Sequence, residues 1–236
     1  MKNPFERFKS YSSRRKEIPL DSIIKSKDMV IDKLVAGYEK VVEEEVKSLV
    51  WVVERGRLME AYSEAEEAIA DIDYKAEDIE ELCYELDGNE RLPYLITGPA
   101  GIYISALCNH AGENEITLKL GELRRKMHMI GYRLPSKKRL IIEGDMGNFV
   151  GSHLDGGELI LEGSARDWAG AGMRKGKITI KKYAGYHTAE WMIDGEIRVD
   201  GRIRGIGKVV NGKIFEMGKP VYPSSNHLSS GNDSFR

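Results

Sequence analysis

LIIEGDMGNFVGSHLDGGE at residues 140–158 and LILEGSARDWAGAGMRKGK at residues 159–177 are two copies of one 19-residue unit, and they decide the fold. The copies continue as ITIKKYAGYHTAEWMIDGE at 178–196 and, shortened, as IRVDGRIRGIGKVVNGK from 197, after which Ile214-Phe215 opens another turn. Leu140, Leu159, Ile178 and Ile197 are therefore equivalent. Each unit begins apolar, any, apolar, which puts Leu140/Ile142, Leu159/Leu161, Ile178/Ile180 and Ile197/Val199 on one face of a short strand. A second apolar position falls at Phe149, Trp168 and Ile206, and a third at Leu154, Met173, Met192 and Val210. Glycines stand at fixed places between these stretches: Gly144, Gly163 and Gly201; Gly147 and Gly185; Gly151 and Gly170; Gly157, Gly176, Gly195 and Gly212. One such unit cannot bury its apolar face alone. Stacking one unit per coil lays equivalent strands parallel, about 4.8 Å apart, with the apolar positions laddered through the interior. Corners that turn the chain inward need φ > 0 or close backbone approach, which glycine supplies without steric penalty.

Other readings of the glycines fail locally. Gly170-Ala-Gly172 precedes no predicted helix and sits in no βαβ unit, so it is not a dinucleotide fingerprint. Gly176-Lys177 is followed by Ile178, where a Walker A loop needs a hydroxyl. A G-x-x-G-x-x-x-G pattern stands as Gly144, Gly147 and Gly151; the next unit keeps Gly163 and Gly170 around Arg166, and the third keeps Gly185 between Lys182 and Ala189. Residues 144–177 thereby resemble the glycine-patterned (GXGXG) domain at the C-terminus of the glutamate synthase large subunit, and are similar to the C subunit of formylmethanofuran dehydrogenase. The resemblance covers residues 140–216 and implies a right-handed parallel β-helix. In both relatives that β-helix is an architectural part of a larger enzyme. The amidotransferase, flavin and iron–sulfur parts have no counterpart here, so what the resemblance implies is shape.

Upstream the period changes. From Asp28 to about Arg55, Ile31, Leu34, Val35, Tyr38, Val41, Val42, Val46, Leu49, Val50 and Val53 follow a 3.6-residue repeat, which predicts a long amphipathic helix that Gly56 can end. A second helix is predicted through Leu58, Met59, Tyr62, Ala65 and Ile69, and a third through Ile79, Leu82, Cys83 and Leu86, closed by Asp87-Gly88-Asn89. After Pro93, Tyr94–Thr97 and Ile116–Leu120 read as strands, with Gly98, Pro99, Gly101 and Gly112 in turns. The expected class is α+β: a basic arm at 1–27, an acidic helical domain at 28–91, a right-handed β-helix of 19-residue coils at 92–222 and a loose tail at 223–236.

Charge is unevenly spread along this plan. The 38 acidic and 36 basic side chains nearly cancel, yet Glu39 to Glu90 carries 18 acidic residues against five basic ones. Between Leu120 and Leu140 lies a basic insertion, Arg124, Arg125, Lys126, Arg133, Lys137, Lys138 and Arg139, the candidate partner-binding residues. Its expected partner is the acidic helices, within or between chains, and the expected assembly is a homo-oligomer with no nucleic acid and no membrane bound. A near-neutral chain with only Tyr132 in the insertion lacks the aromatic platforms of a single-strand binder. No apolar run spans a bilayer, and the first fifteen residues lack an apolar signal core, so a cytoplasmic setting is expected. Gln is absent while Lys and Glu abound, which leans toward a thermophilic source.

Catalytic and cofactor signals are sparse. Cys83 and Cys108 match neither a disulfide framework nor a CxxC site. His110, His128, His153, His187 and His227 have no spacing that sets two of them as metal ligands on one face, and no G-x-S-x-G is present. Cys108 and His110, if on a strand, share a side but have no orienting acid. His187 shares the register position of Phe149 and Trp168 and is expected as a stacked residue of the interior or its mouth. No catalytic, cofactor or metal residue is therefore assigned. The leading expectation is a non-catalytic binding or assembly protein; the alternatives are a subunit of an oxidoreductase complex of the glutamate synthase or formylmethanofuran dehydrogenase type, and an esterase-like hydrolase.

Overall fold

Strands form wherever the repeat reads apolar, any, apolar. The computed structural model describes residues 20–47, 55–88 and 98–222, and in it one sheet runs β1 Glu115–Lys119, β2 Arg139–Glu143, β3 Asp155–Leu161, β4 Lys175–Ile180, β5 Glu196–Val199, β6 Lys213–Glu216 and β7 Lys219–Tyr222 in sequence order. The first six strands are parallel, and the registers Leu140↔Leu159, Leu159↔Ile178 and Ile178↔Ile197 reproduce the 19-residue offset. Ile116↔Leu140 spans the longer first coil that holds the basic insertion, and Ile197↔Ile214 the shortened last one. The result is a parallel β-solenoid of about four turns whose last strand, β6, continues into the antiparallel hairpin β6–β7. Leu140, Ile142, Leu159, Leu161, Ile178, Ile180, Ile197 and Val199 are all buried, so the expected ladders form the core.

The second interior row lies one residue later than the sequence reading places it. Val150, Ala169 and Thr188 are fully buried, whereas Phe149 and Trp168 lie half-buried on the outside and Ile206 and Val210 are exposed. The cause is a pair of overlapping turns in each coil, closed by Ser152 N donating to Phe149 O and Leu154 N to Gly151 O, and repeated at 168–173 and 187–192. The third residue of each turn has positive φ, as type II turns require: Gly151 and His153, Gly170 and Gly172, Ala189 and Trp191. Phe149, Trp168 and His187 share that left-handed geometry, which breaks the two-residue alternation that sequence reading assumes.

Close approach, not backbone sign, explains other repeat glycines. Gly163, expected at a left-handed corner, has an ordinary φ; a Cβ there would be driven into the Gly144 carbonyl, and one at Gly201 into that of Lys182.

Four helices precede or flank the coil: α1 Leu20–Lys47, α2 Arg55–Ile69, α3 Ala76–Gly88 and α4 Pro99–His110. Helix α1 begins earlier than expected, taking in part of the expected basic arm, and Gly56 falls inside α2 instead of ending the first helix. The turns expected around Pro99 and Gly101 are instead α4, whose residues Pro99–Cys108 are all buried. A helix apolar on every side carries no amphipathic period, so its sequence read as a break between strands. The rest of the arm at 1–19, the expected strand Tyr94–Thr97, the tail at 223–236 and His227 lie outside the described residues. No helix among the described residues is long and apolar enough to cross a membrane.

Candidate functional site

Helix α4 docks on the first coil through its small residues. A Cβ on Gly101 would stand 2.8 Å from the His128 carbonyl carbon, and Ser105 Oγ donates to Met129 O at 3.1 Å while accepting from Tyr132 N at 3.1 Å. Asn109 Nδ2 bonds Tyr132 O at 3.0 Å and Tyr62 Oη at 2.8 Å, tying α2, α4 and the coil together. Helix α3 lies along the open edge of β1, where Lys119 N donates to Glu80 Oε2 at 2.7 Å and Tyr84 Oη donates to Lys119 O at 2.6 Å.

Part of the basic insertion, Arg124, Arg133 and Lys138, is engaged in this seam. Asp87, buried at the end of α3, accepts from Arg124 N at 2.8 Å and Arg125 N at 3.2 Å, and Arg124 Nη2 donates to the Asp87 carbonyl at 2.8 Å. Arg133 places its guanidinium 5.3 Å from the centre of the Tyr62 ring of α2. Lys138 Nζ donates to Ala111 O at 2.5 Å and Glu113 O at 2.6 Å, just past α4, and its pKa is lowered chiefly by desolvation. Arg139 bridges Glu115 and Glu158 on neighbouring strands, and Lys126 reaches Asp145 at 3.6 Å. Lys137 is exposed with φ of 75°. Among these contacts of the described residues Asp87 is the one acidic helix side chain that the insertion meets, and the sequence reading had placed it only in a helix-closing Asp-Gly-Asn turn.

The coil carries two further ladders on its surface. Phe149 and Trp168 stack with centroids 5.0 Å apart and planes 6° apart, and Trp168 and His187 follow at 5.2 Å and 9°. His187, expected stacked in the interior or its mouth, is stacked but on the exposed surface, because the left-handed residue turns its side chain outward, and it pairs with Glu190 at 3.0 Å. Beside it, Asn148 Oδ1 accepts from Asp167 N at 3.2 Å and Asp167 Oδ1 from Tyr186 N at 2.8 Å, a bond that steps one coil at a time and that the sequence reading missed.

The remaining titratable candidates are dispersed. Cys108 and His110 lie on a helix, not a strand, so two residues' separation turns them apart: His110 pairs with Glu66 at 2.8 Å, while burial pushes the Cys108 thiol up to about 12. Cys83 is likewise buried and its thiol raised by desolvation. His128 packs against Gly147, with its pKa lowered by desolvation and then by Arg166. His153 packs on Tyr132 in a small cleft that Leu58, Met59, Arg133 and Arg174 also line. Among the described residues no group of three or more His, Cys, Asp or Glu side chains is placed to hold a metal ion.

Among the described residues, the large apolar side chains exposed on helices are Ile24, Met29, Met59 and Tyr84, and those exposed on the coil all lie in its last part. Between residues 98 and 182 no large hydrophobic residue is exposed, whereas Tyr183, Tyr186, Trp191, Ile193, Ile206, Val210 and Met217 all are. Interspersed with them are the exposed Lys182, Arg202, Arg204 and Lys208. No family model, no curated protein and no solved structure matches the chain.

Proposed function

We propose that the chain is a non-catalytic binding and assembly protein, in which a rigid β-solenoid fixes the acidic helices at one end and offers the surface of its last two coils to a protein partner. The observation that carries this reading is the run of exposed aromatic and aliphatic residues from Tyr183 to Met217, on a molecule whose earlier coils expose none. Apolar surface gathered at one place on a soluble fold marks a contact site. The solenoid suits the role because stacked coils with laddered bonds hold distant surfaces at fixed separation. The glycine-patterned family resemblance, a right-handed coil and a cytoplasmic setting belong to the same proposal. Handedness is supported by the strong right-handed preference of parallel crossovers.

Sedimentation velocity of the intact chain from low to high micromolar concentration tests the reading, paired with an assay on short acyl esters. Association that the triple variant Tyr186→Ser/Trp191→Ser/Val210→Ser weakens, without ester turnover, supports it. A strictly monomeric chain whose ester turnover is abolished by alanine at a single histidine or cysteine overturns it in favour of a hydrolase.

A further inference from the structure

The molecule is electrically polar along the solenoid axis. At the first-coil end, α3 covers the β1 edge and exposes Glu77, Glu81 and Glu85; the groove there is lined by Glu77, Glu80, Glu81, Tyr84 and Thr117 together with Lys27 and Lys119, and Lys27 already pairs with Glu81 at 2.9 Å, which leaves Glu77 and Glu85 as that face's free carboxylates among the described residues. At the last-coil end, a groove is lined by Lys182, Tyr183, Gly201, Arg202 and Arg204. Arg202, Arg204 and Lys208 are exposed and make no ion pair among the described residues, and neither do Glu77 and Glu85. Unpaired cations and unpaired carboxylates therefore face opposite ways on one rigid body.

The two ends also differ in how their backbone is finished. Helices α3 and α4 cover the first coil, whereas from 201 to 211 no residue of the last coil is buried, and Ile203 and Val209 are only partly covered. Among the described residues strand β7 pairs with β6 alone, and Glu216 caps one further amide, that of Ile203, at 2.8 Å. An unfinished coil edge is a template for contact. Two such edges meeting each other would oppose Arg202, Arg204 and Lys208 to their own copies, which like-charge repulsion disfavours. The acidic helix face of a second molecule meets the same edge with opposite charge.

Building on the assembly reading above, we propose that the chain associates with itself head to tail, the groove of Lys182, Tyr183, Arg202 and Arg204 in one copy docking on the Glu77–Glu85 face of α3 in the next. Such an interface is heterologous, so it propagates into short open chains instead of closing as a two-fold dimer. Its ion pairs are exposed and individually weak, so association is concentration-dependent and fades as salt screens them.

Charge reversal with complementation tests the arrangement. Sedimentation velocity at low salt is run on the intact chain, on Arg202→Glu/Arg204→Glu, on Glu77→Lys/Glu85→Lys and on an equimolar mixture of the two variants, each checked for parent-like circular dichroism. All four positions are on the surface, and Arg202→Gln/Arg204→Gln provides a milder variant should reversal disturb the fold. The parent is expected to sediment faster with concentration, each reversed variant to associate about tenfold or more weakly, and the mixture to recover, because the acidified coil end of one then fits the basic helix face of the other. Association unchanged in both variants overturns the head-to-tail contact while leaving an assembly role standing. A parent that stays monomeric at every concentration, a mixture that fails to recover, or a parent that binds duplex DNA at about 0.15 M salt with a steep salt slope also overturns it.

Discussion

Replacing Gly163 by alanine should destabilise the coil through steric contact alone. A Cβ built there falls inside the Gly144 carbonyl group, 2.5 Å from its carbon, and 2.9 Å from Asp145 N. Carbon contacts are comfortable at about 3.5–4.0 Å, so the third coil must lift from the second by about 1 Å at this point. Every obstructing atom belongs to backbone and none can swing away. The displacement opens neighbouring bonds between the coils, from Ser164 N to Asp145 Oδ1 at 2.9 Å and from Met146 N to Ser164 O at 2.8 Å. Two bonds weakened at about 1 kcal/mol each, with an overpacking cost of about 1–3 kcal/mol, put the loss near 3–5 kcal/mol. For a domain of this size that lowers the melting temperature by about 6–20 °C in calorimetry. Gly112→Ala, with open space around it and an ordinary φ, should leave the melting temperature unchanged or slightly raised. Gly218→Ala, at φ of 75° with nothing nearby, isolates the conformational term at about 1 kcal/mol. A Gly163→Ala protein melting within about 2 °C of the parent refutes the close-approach argument.

Other perturbations read the seam and the charges. Asp87→Ala leaves the partly buried amides of Arg124 and Arg125 without their acceptor, so a loss of about 2 kcal/mol is expected, with hydrogen exchange quickening first in α3 and residues 121–127. The triple reversal Lys137→Glu/Lys138→Glu/Arg139→Glu should loosen the helices from the coil, mostly through Lys138, and small-angle scattering should report an expanded particle. His128 has a folded pKa below its unfolded value, so the unfolded chain gains the proton first and stability falls as pH drops below about 6.5; His128→Asn should flatten the melting temperature between about pH 7 and 5. Asp145 is held low by the Ser164 amide and then by Lys126 and Lys182, so its contribution is present above the unfolded carboxylate pKa and disappears as pH falls through the folded one. Asp145→Asn should therefore reduce the acid dependence below about pH 4.

How far the sequence discloses this molecule follows from where the repeat speaks. The 19-residue offset fixed strand starts and register at Leu140, Leu159, Ile178 and Ile197, because apolar ladders at those positions are what the core is made of. It misplaced the second interior row by one residue because Phe149 and Trp168 are larger and more conspicuous than Val150 and Ala169, and because consecutive left-handed residues reverse the expected facing. Helix α4 was illegible because Pro99, Gly101 and an all-apolar run imitate a turn between strands; what Gly101 signals is its closeness to His128. The basic insertion was legible as a charged segment, but its main partner, Asp87, looked like part of a helix-ending Asp-Gly-Asn turn. The exposed cluster from Tyr183 to Met217 was hidden because no apolar ladder announces it: the preceding coil carries Ser164, Asp167, Gly172 and Arg174 where this one has Tyr183, Tyr186, Trp191 and Ile193.

Spin labels on the outward row Glu143, Glu162, Lys181 and Asp200 measure the solenoid itself, and the two native cysteines are buried and do not compete for label. With one label fixed at residue 143 and the second moved to 162, 181 and 200, dipolar spectroscopy should show the separation growing by about 4.8 Å for each added 19 residues, the spacing of stacked strands. Steps of about 28 Å, the rise of 19 helical residues, or a broad distribution that does not grow in even steps, would contradict the stacked coil on which the account rests.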